Sequence, residues 1–148
     1  MKVLIIYDST HGNTEKIAKA IGNAITGEAK ILRAAEAKPA DFKNYDLLIV
    51  GSPTEGGRPT KPVQALLNSI GDTELRGIPA AVFDTRLSNK LVGIFGYAAG
   101  KITESLTKKG AGVLTAEGFF VTKEPLLKEG ELERAGTWAN DLVQKIKK

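Results

Sequence analysis

The sequence contains no cysteine, which removes disulfides, thiolate metal sites and cysteine nucleophiles together. Its single histidine, His11, excludes a histidine cluster. Long apolar runs are missing too. None approaches the roughly 20 residues a membrane span needs, and the opening "KVLIIYD" turns polar too soon for a signal peptide. A cytoplasmic location without membrane insertion is the expectation. Neither nucleotide fingerprint occurs: there is no G-x-x-x-x-G-K-[ST], and no G-x-G-x-x-G after the first apolar run. Acid–base and nucleophilic catalysis find no support either, because no nucleophile elbow and no carboxylate pair stand in the loops singled out below.

What is present is a globular composition: 148 residues, 42% apolar, 26% charged, mean hydropathy −0.12. That length suits a single domain over 1–148. The 21 basic against 17 acidic residues give +4 and a pI near 9.3. An anionic partner is one reading of that excess. The lysines are scattered, however, and the one tight cluster, the terminal "QKIKK", suits the negative end of a last helix, so nucleic acid is not expected.

Apolar runs of strand length alternate with patterns of helical period. Strands are expected at Lys2–Tyr7, Ala29–Arg33 (weak), Asp46–Gly51, Pro79–Asp84 and, broken, Gly112–Val121. Between them lie apolar stripes of helical spacing. The first is Ile17, Ile21, Ala24 and Ile25; the second is Val63, Leu66, Leu67 and Ile70, stopped by Gly71. The third has Ile102 and Leu106 before Gly110, and the last has Leu132, Ala135, Trp138, Leu142, Val143 and Ile146. Pro39–Tyr45 is short enough to hold a single turn. Continuous apolar strands between amphipathic helices imply a parallel sheet covered on both faces, whose ligands sit beyond the carboxyl ends of the strands.

The loop after the first strand is "DSTHGNT", Asp8 to Thr14. Ser9, Thr10 and Thr14 bring hydroxyls, Asn13 an amide, and Gly12 a tight backbone turn. The helix that follows adds unpaired N–H groups and a positive dipole end. This set suits a phosphate dianion without any Lys or Arg; the alternative is a capped turn with no ligand. With the nucleotide motifs absent, a monoester phosphate such as that of FMN remains. His11 either pairs with that phosphate when protonated or is an exposed loop residue.

After the third strand comes "GSPTEGGRPTKP", Gly51 to Pro62, longer than a plain connector needs. Its prolines fix a path, and Gly56 and Gly57 leave bare backbone that a planar ring can approach; the alternative is a connector. After the fourth strand, within Phe83–Lys101, Asp84 can accept from a ring imide, Thr85 can bond a carbonyl, and Arg86 can meet a phosphate or a partner's carboxylate. Gly96 and Tyr97 close this stretch, with Tyr97 the best aromatic for stacking and Phe95 behind it. Alternatively Leu91, Val92, Ile94 and Phe95 are core and Tyr97 caps the next helix.

These loops resemble those of short-chain flavodoxins. That family's first loop, roughly [ST]-x-T-G-x-T, is matched by Ser9, Gly12, Asn13 and Thr14, with His11 where a Thr is usual. Its second flavin loop, "SPT" followed by an aromatic and glycines, is matched by Ser52, Pro53, Thr54, Gly56 and Gly57, with Glu55 in the aromatic's place. The resemblance extends over the chain in element order. It implies an α/β doubly wound, flavodoxin-like fold, a five-stranded parallel sheet of order 2-1-3-4-5 that is itself a known example of ligand binding at a topological switch point. It also implies bound FMN and electron transfer between redox protein partners. A carboxylate at Glu55 near the ring would disfavour an anionic reduced flavin and lower its potential; the alternative is that Glu55 faces water and does neither.

Three classes follow. One is an FMN electron carrier, monomeric or weakly dimeric, whose basic charge favours an acidic partner surface. The second is a small FMN-dependent NAD(P)H quinone or nitro-compound reductase. The third is a flavin-free phosphoacceptor module, which needs an Asp at the end of the third strand where Gly51 stands.

Overall fold

The structure, a computed structural model, describes residues 1–88 and 96–147. Five strands form one parallel sheet: β1 (Lys2–Tyr7), β2 (Glu28–Arg33), β3 (Leu47–Pro53), β4 (Pro79–Leu87) and β5 (Gly112–Val121). Their order is β2-β1-β3-β4-β5. Helices α1 (Asn13–Ala24), α2 (Lys61–Ser69), α3 (Ala98–Lys108) and α4 (Glu131–Lys147) cover its two faces.

The strands' apolar residues are divided between two cores by the period-2 alternation of side chains. Leu4, Ile6, Leu48, Val50, Ala80 and Val82 face α2 and α3, meeting Val63, Leu67, Ile102 and Leu106. Val3, Ile5, Leu47, Ile49, Ala81 and Phe83 face α1 and α4, meeting Ile17, Ile21, Ala135 and Leu142. A strand buried on both sides has no polar position to spare, and for this reason β1 and β3 read as unbroken apolar runs. In the second core Phe83, Phe119 and Trp138 pack edge to face, with centroids 6.0–6.3 Å apart. Phe83 reaches over Gly51 so closely that a Cβ there would sit 2.0 Å from Cζ.

Two departures from the sequence expectation, at β4 and β5, have physical causes. Strand β4 runs through Leu87, past Asp84, because Asp84–Leu87 stay paired with Gly118–Val121 of β5. Strand β5 is continuous. Its apparent break is a register shift, in which Ala80 faces Val113 and Ala81 faces Thr115, leaving Leu114 unpaired and exposed. Leu132 is 46% exposed and lies outside the apolar stripe of α4. The segment near Pro39–Tyr45 forms a 3-10 stretch, Pro39–Asn44, that buries Phe42. No described helix is long and apolar enough to cross a membrane.

Candidate functional site

At the carboxyl end of the sheet, four stretches of chain surround a cavity of about 410 Å³. Thr10, His11, Asn13 and Thr14 line it from the first loop, and Pro53, Thr54 and Glu55 from the loop after β3. Thr85, Arg86 and Leu87 come from the end of β4, and Val121, Thr122, Lys123 and Pro125 from the exit of β5. The last group escaped the sequence reading. The rule that ligands sit beyond strand ends applied equally to "VTKEP" after the fifth strand, where no glycine or hydroxyl cluster drew attention.

The first loop is built to start a helix. Gly12 adopts φ 90°, a left-handed conformation that glycine takes without strain. Ser9 Oγ accepts from the Gly12 N–H at 3.0 Å, folding the loop onto itself. No side chain caps α1. Asn13 is buried and donates to the Pro125 carbonyl at 3.1 Å, tying this loop to the exit of β5. The buried hydroxyls of Thr14 and Thr85 meet at 2.8 Å, joining α1 to β4. Thr10 donates to Glu55 Oε2 at 2.6 Å, so the carboxylate where an aromatic was expected latches the first loop to the second. Behind the loop, Arg33 of β2 reaches Asp8 and the Ser9 carbonyl at 3.4 and 3.5 Å.

Gly56 and Gly57 do not line the cavity. They form the two-residue turn of a small hairpin in which Glu55 and Arg58 exchange backbone hydrogen bonds at 2.8 and 3.1 Å. Both have positive φ, 59° and 77°, as a primed turn demands. Thr54 spans to the next loop, donating its N–H to the Thr85 carbonyl and accepting from the Ala98 N–H.

Asp84, expected as a ring acceptor, does not line the cavity. It is fully buried, and its carboxylate accepts from Arg86 Nε and Nη2 at 2.7 and 2.8 Å and from the Ala99 N–H at 2.9 Å. Arg86 lies over the Tyr97 ring, 3.5 Å from its centroid. Tyr97 therefore gives one face to Arg86, and neither it nor Gly96 lines the cavity. Phe95, Leu91, Val92 and Ile94 lie outside the described residues.

The donor set suits a phosphate monoester. An uncapped helix start, the Thr14 hydroxyl and an imidazole stand at one side of the cavity, and its charged lining groups are Arg86, Lys123 and Glu55. Among the described residues no acidic or histidine cluster for a metal occurs.

The family model described as Flavodoxin matches residues 5–138. The chain belongs to the flavodoxin family. It is 27% identical to a flavodoxin of Maridesulfovibrio salexigens, over 98% of this chain and 99% of that one. It is also 32% identical to an NAD(P)H dehydrogenase (quinone) of Cupriavidus metallidurans, over 52% of this chain and 50% of the relative. The chain spans about half the length of such quinone dehydrogenases. Among solved structures, oxidised Flavodoxin 2 from Bacillus cereus superposes with a TM-score of 0.82 over 98% of this chain and 99% of the other, at 24% identity, a likeness of fold. FMN is the cofactor of this flavodoxin-like chain.

Proposed function

We propose that the cleft holds FMN with its phosphate against Thr10–Thr14 and its ring between the Pro53–Glu55 loop and the end of β4. The protein then acts as an electron carrier between redox partners. The observation that carries this reading is the joining of an uncapped, hydroxyl-rich helix start to β4 through the Thr14–Thr85 pair, at the wall of a cavity. FMN, when bound, supplies the electron chemistry. The chain's task is to hold and orient. Helix N–H groups and the Thr14 hydroxyl receive the phosphate, the Glu55 latch on Thr10 fixes two walls relative to each other, and Arg86 and Lys123 make one flank cationic.

Exposed cations at this end of the sheet, Arg58, Lys61, Lys101 and Lys123, stand with Glu55 and Glu124. Their excess supports an acidic docking surface on the partner, which long-range attraction would steer to the cleft. A second reading, an NAD(P)H-dependent quinone reductase, draws support from the quinone dehydrogenase relatives. FMN titration followed by anaerobic stepwise reduction separates the two. Two resolved one-electron steps, with no NADH or NADPH oxidation by a quinone, support the carrier. A single two-electron step with quinone-dependent NAD(P)H oxidation supports the reductase. No FMN binding would sink both.

A further inference from the structure

Arg86 is held more firmly than an ion pair at a strand end requires. Its Nε and Nη2 donate to the two oxygens of Asp84, whose carboxylate is fully buried and is itself fixed by the Ala99 N–H at the start of α3. The Tyr97 ring supports the guanidinium from one side. Against it also lies Gly118 of β5, the register partner of Asp84, where a Cβ would come within 2.3 Å of Arg86 Cζ and Nε. Gly118 is thus the residue whose missing side chain makes room for Arg86. An apolar pair of similar volume would stabilise the sheet about as well as a buried ion pair, so stability alone does not account for this arrangement.

The placement does. Asp84 stands behind, shielded, while the Arg86 side chain is 18% exposed and lines the cleft. The cavity meets the positive end of the pair. Glu55, the negative group of the lining, is exposed and turned onto Thr10.

We propose that Arg86 is a charge-tuning residue that stabilises the negative charge a flavin in this cleft gains on reduction; this rests on FMN occupying the cleft. When two electrons from the redox partner enter with a single proton, one negative charge stays on the flavin. A fixed cation favours that form over one that takes a second proton. Arg86 therefore tightens binding of reduced FMN more than of oxidised FMN, and by linkage the midpoint potential rises.

The test uses the full chain with FMN, comparing wild type, Arg86→Lys, and the neutral pair Asp84→Asn with Arg86→Gln, which leaves no buried charge unpaired. Oxidised FMN affinity is read by fluorescence titration, and midpoint potential is measured against pH. In the neutral pair, which removes the carboxylate behind as well as the cation in front, the ratio of reduced to oxidised dissociation constants is expected to rise about threefold, the scale of an ion pair whose positive end is the nearer one beside an open cleft. Its midpoint falls accordingly, while Arg86→Lys keeps most of the wild-type potential. The midpoint of wild type turns from two protons to one per two electrons at a lower pH than that of free FMN, a comparison that needs no variant to fold. A wild-type turn at or above the pH seen for free FMN, or an unchanged midpoint in a neutral pair that binds oxidised FMN, overturns the role of Arg86 alone. Wild type that binds no FMN overturns the cofactor placement along with it.

Discussion

Gly51→Ala offers a direct test of how tightly the sheet is packed beneath the cleft. A Cβ at position 51 would lie 2.0, 2.3 and 2.4 Å from three ring atoms of Phe83, whereas ordinary contacts begin at 3.4 Å. The ring must retreat by about 1.4 Å, the difference between 3.4 and 2.0. It has little room to do so, because Phe119 and Trp138 meet it edge-on and Phe83 has no exposed surface. Interiors at crystal-like density take up such strain poorly, and overpacking by one methyl costs about 1–3 kcal/mol, here near the upper end. Urea unfolding of the FMN-free protein measures the loss. Trp138, the sole tryptophan, reports the displaced ring through its fluorescence. Phe83→Leu in the same chain frees the space, so the double variant should be more stable than Gly51→Ala by itself. A loss under about 1 kcal/mol, or a double variant no better than the single, would refute the packing argument.

Four further outcomes are expected. Thr14→Val leaves the buried Thr85 hydroxyl without its partner, so about 1–2 kcal/mol of stability should go and FMN affinity should weaken; unchanged urea midpoint and FMN titration would contradict this. Glu131 is held below the ordinary glutamate value by its hydrogen bond from Arg134, burial opposing and the Phe120 N–H assisting. A depressed folded-state value gives stability that is present above the unfolded value of 4.5 and lost as pH falls through the lower folded one. Glu131→Gln should therefore cost about 1 kcal/mol at neutral pH, discounted because Arg134 is partly exposed, and nothing in strong acid; a gap in urea midpoint that stays constant with pH would be the wrong result. Glu55→Gln should raise the midpoint of bound FMN by removing a carboxylate from the cleft, and an unchanged midpoint would end that idea. Electron transfer to an acidic partner should slow as salt is added, and acceleration would argue against attraction at the basic rim.

Much of this was legible in the residues because period and position carry it. Unbroken apolar runs at Val3–Ile6 and Leu47–Val50 could only be strands buried on both faces, and parallel strands place their ligand loops at one end. Of "DSTHGNT", four residues, Thr10, His11, Asn13 and Thr14, meet at the cavity wall, while Asp8, Ser9 and Gly12 stand behind it. The roles of Asp84, Arg86 and Tyr97 were not legible. A carboxylate and a guanidinium two residues apart look like two independent functional groups in a sequence. Only the pairing of β4 with β5, and the missing side chain at Gly118, brings them together as one buried unit. The same pairing hid the end of β4, since polar residues are expected to leave a strand unless a partner neutralises them. The Thr10–Glu55 latch was likewise out of reach, because it links loops 45 positions apart.

The cleft also bears on how a chain without cysteine is held together. Its walls come from residues near 10–14, 53–55, 85–87 and 121–125, each group separated from the next by at least one helix and one strand. A ligand seated there touches stretches spread from residue 10 to residue 125 at once. In the unfolded state those stretches are far apart and bind nothing, so the ligand acts as a reversible cross-link, worth about 4 kcal/mol when its free concentration is a thousand times its dissociation constant. With FMN seated there as proposed, the cofactor would be part of the protein's mechanical construction as well as its chemistry, and its supply would set how readily the carboxyl end of the sheet comes apart.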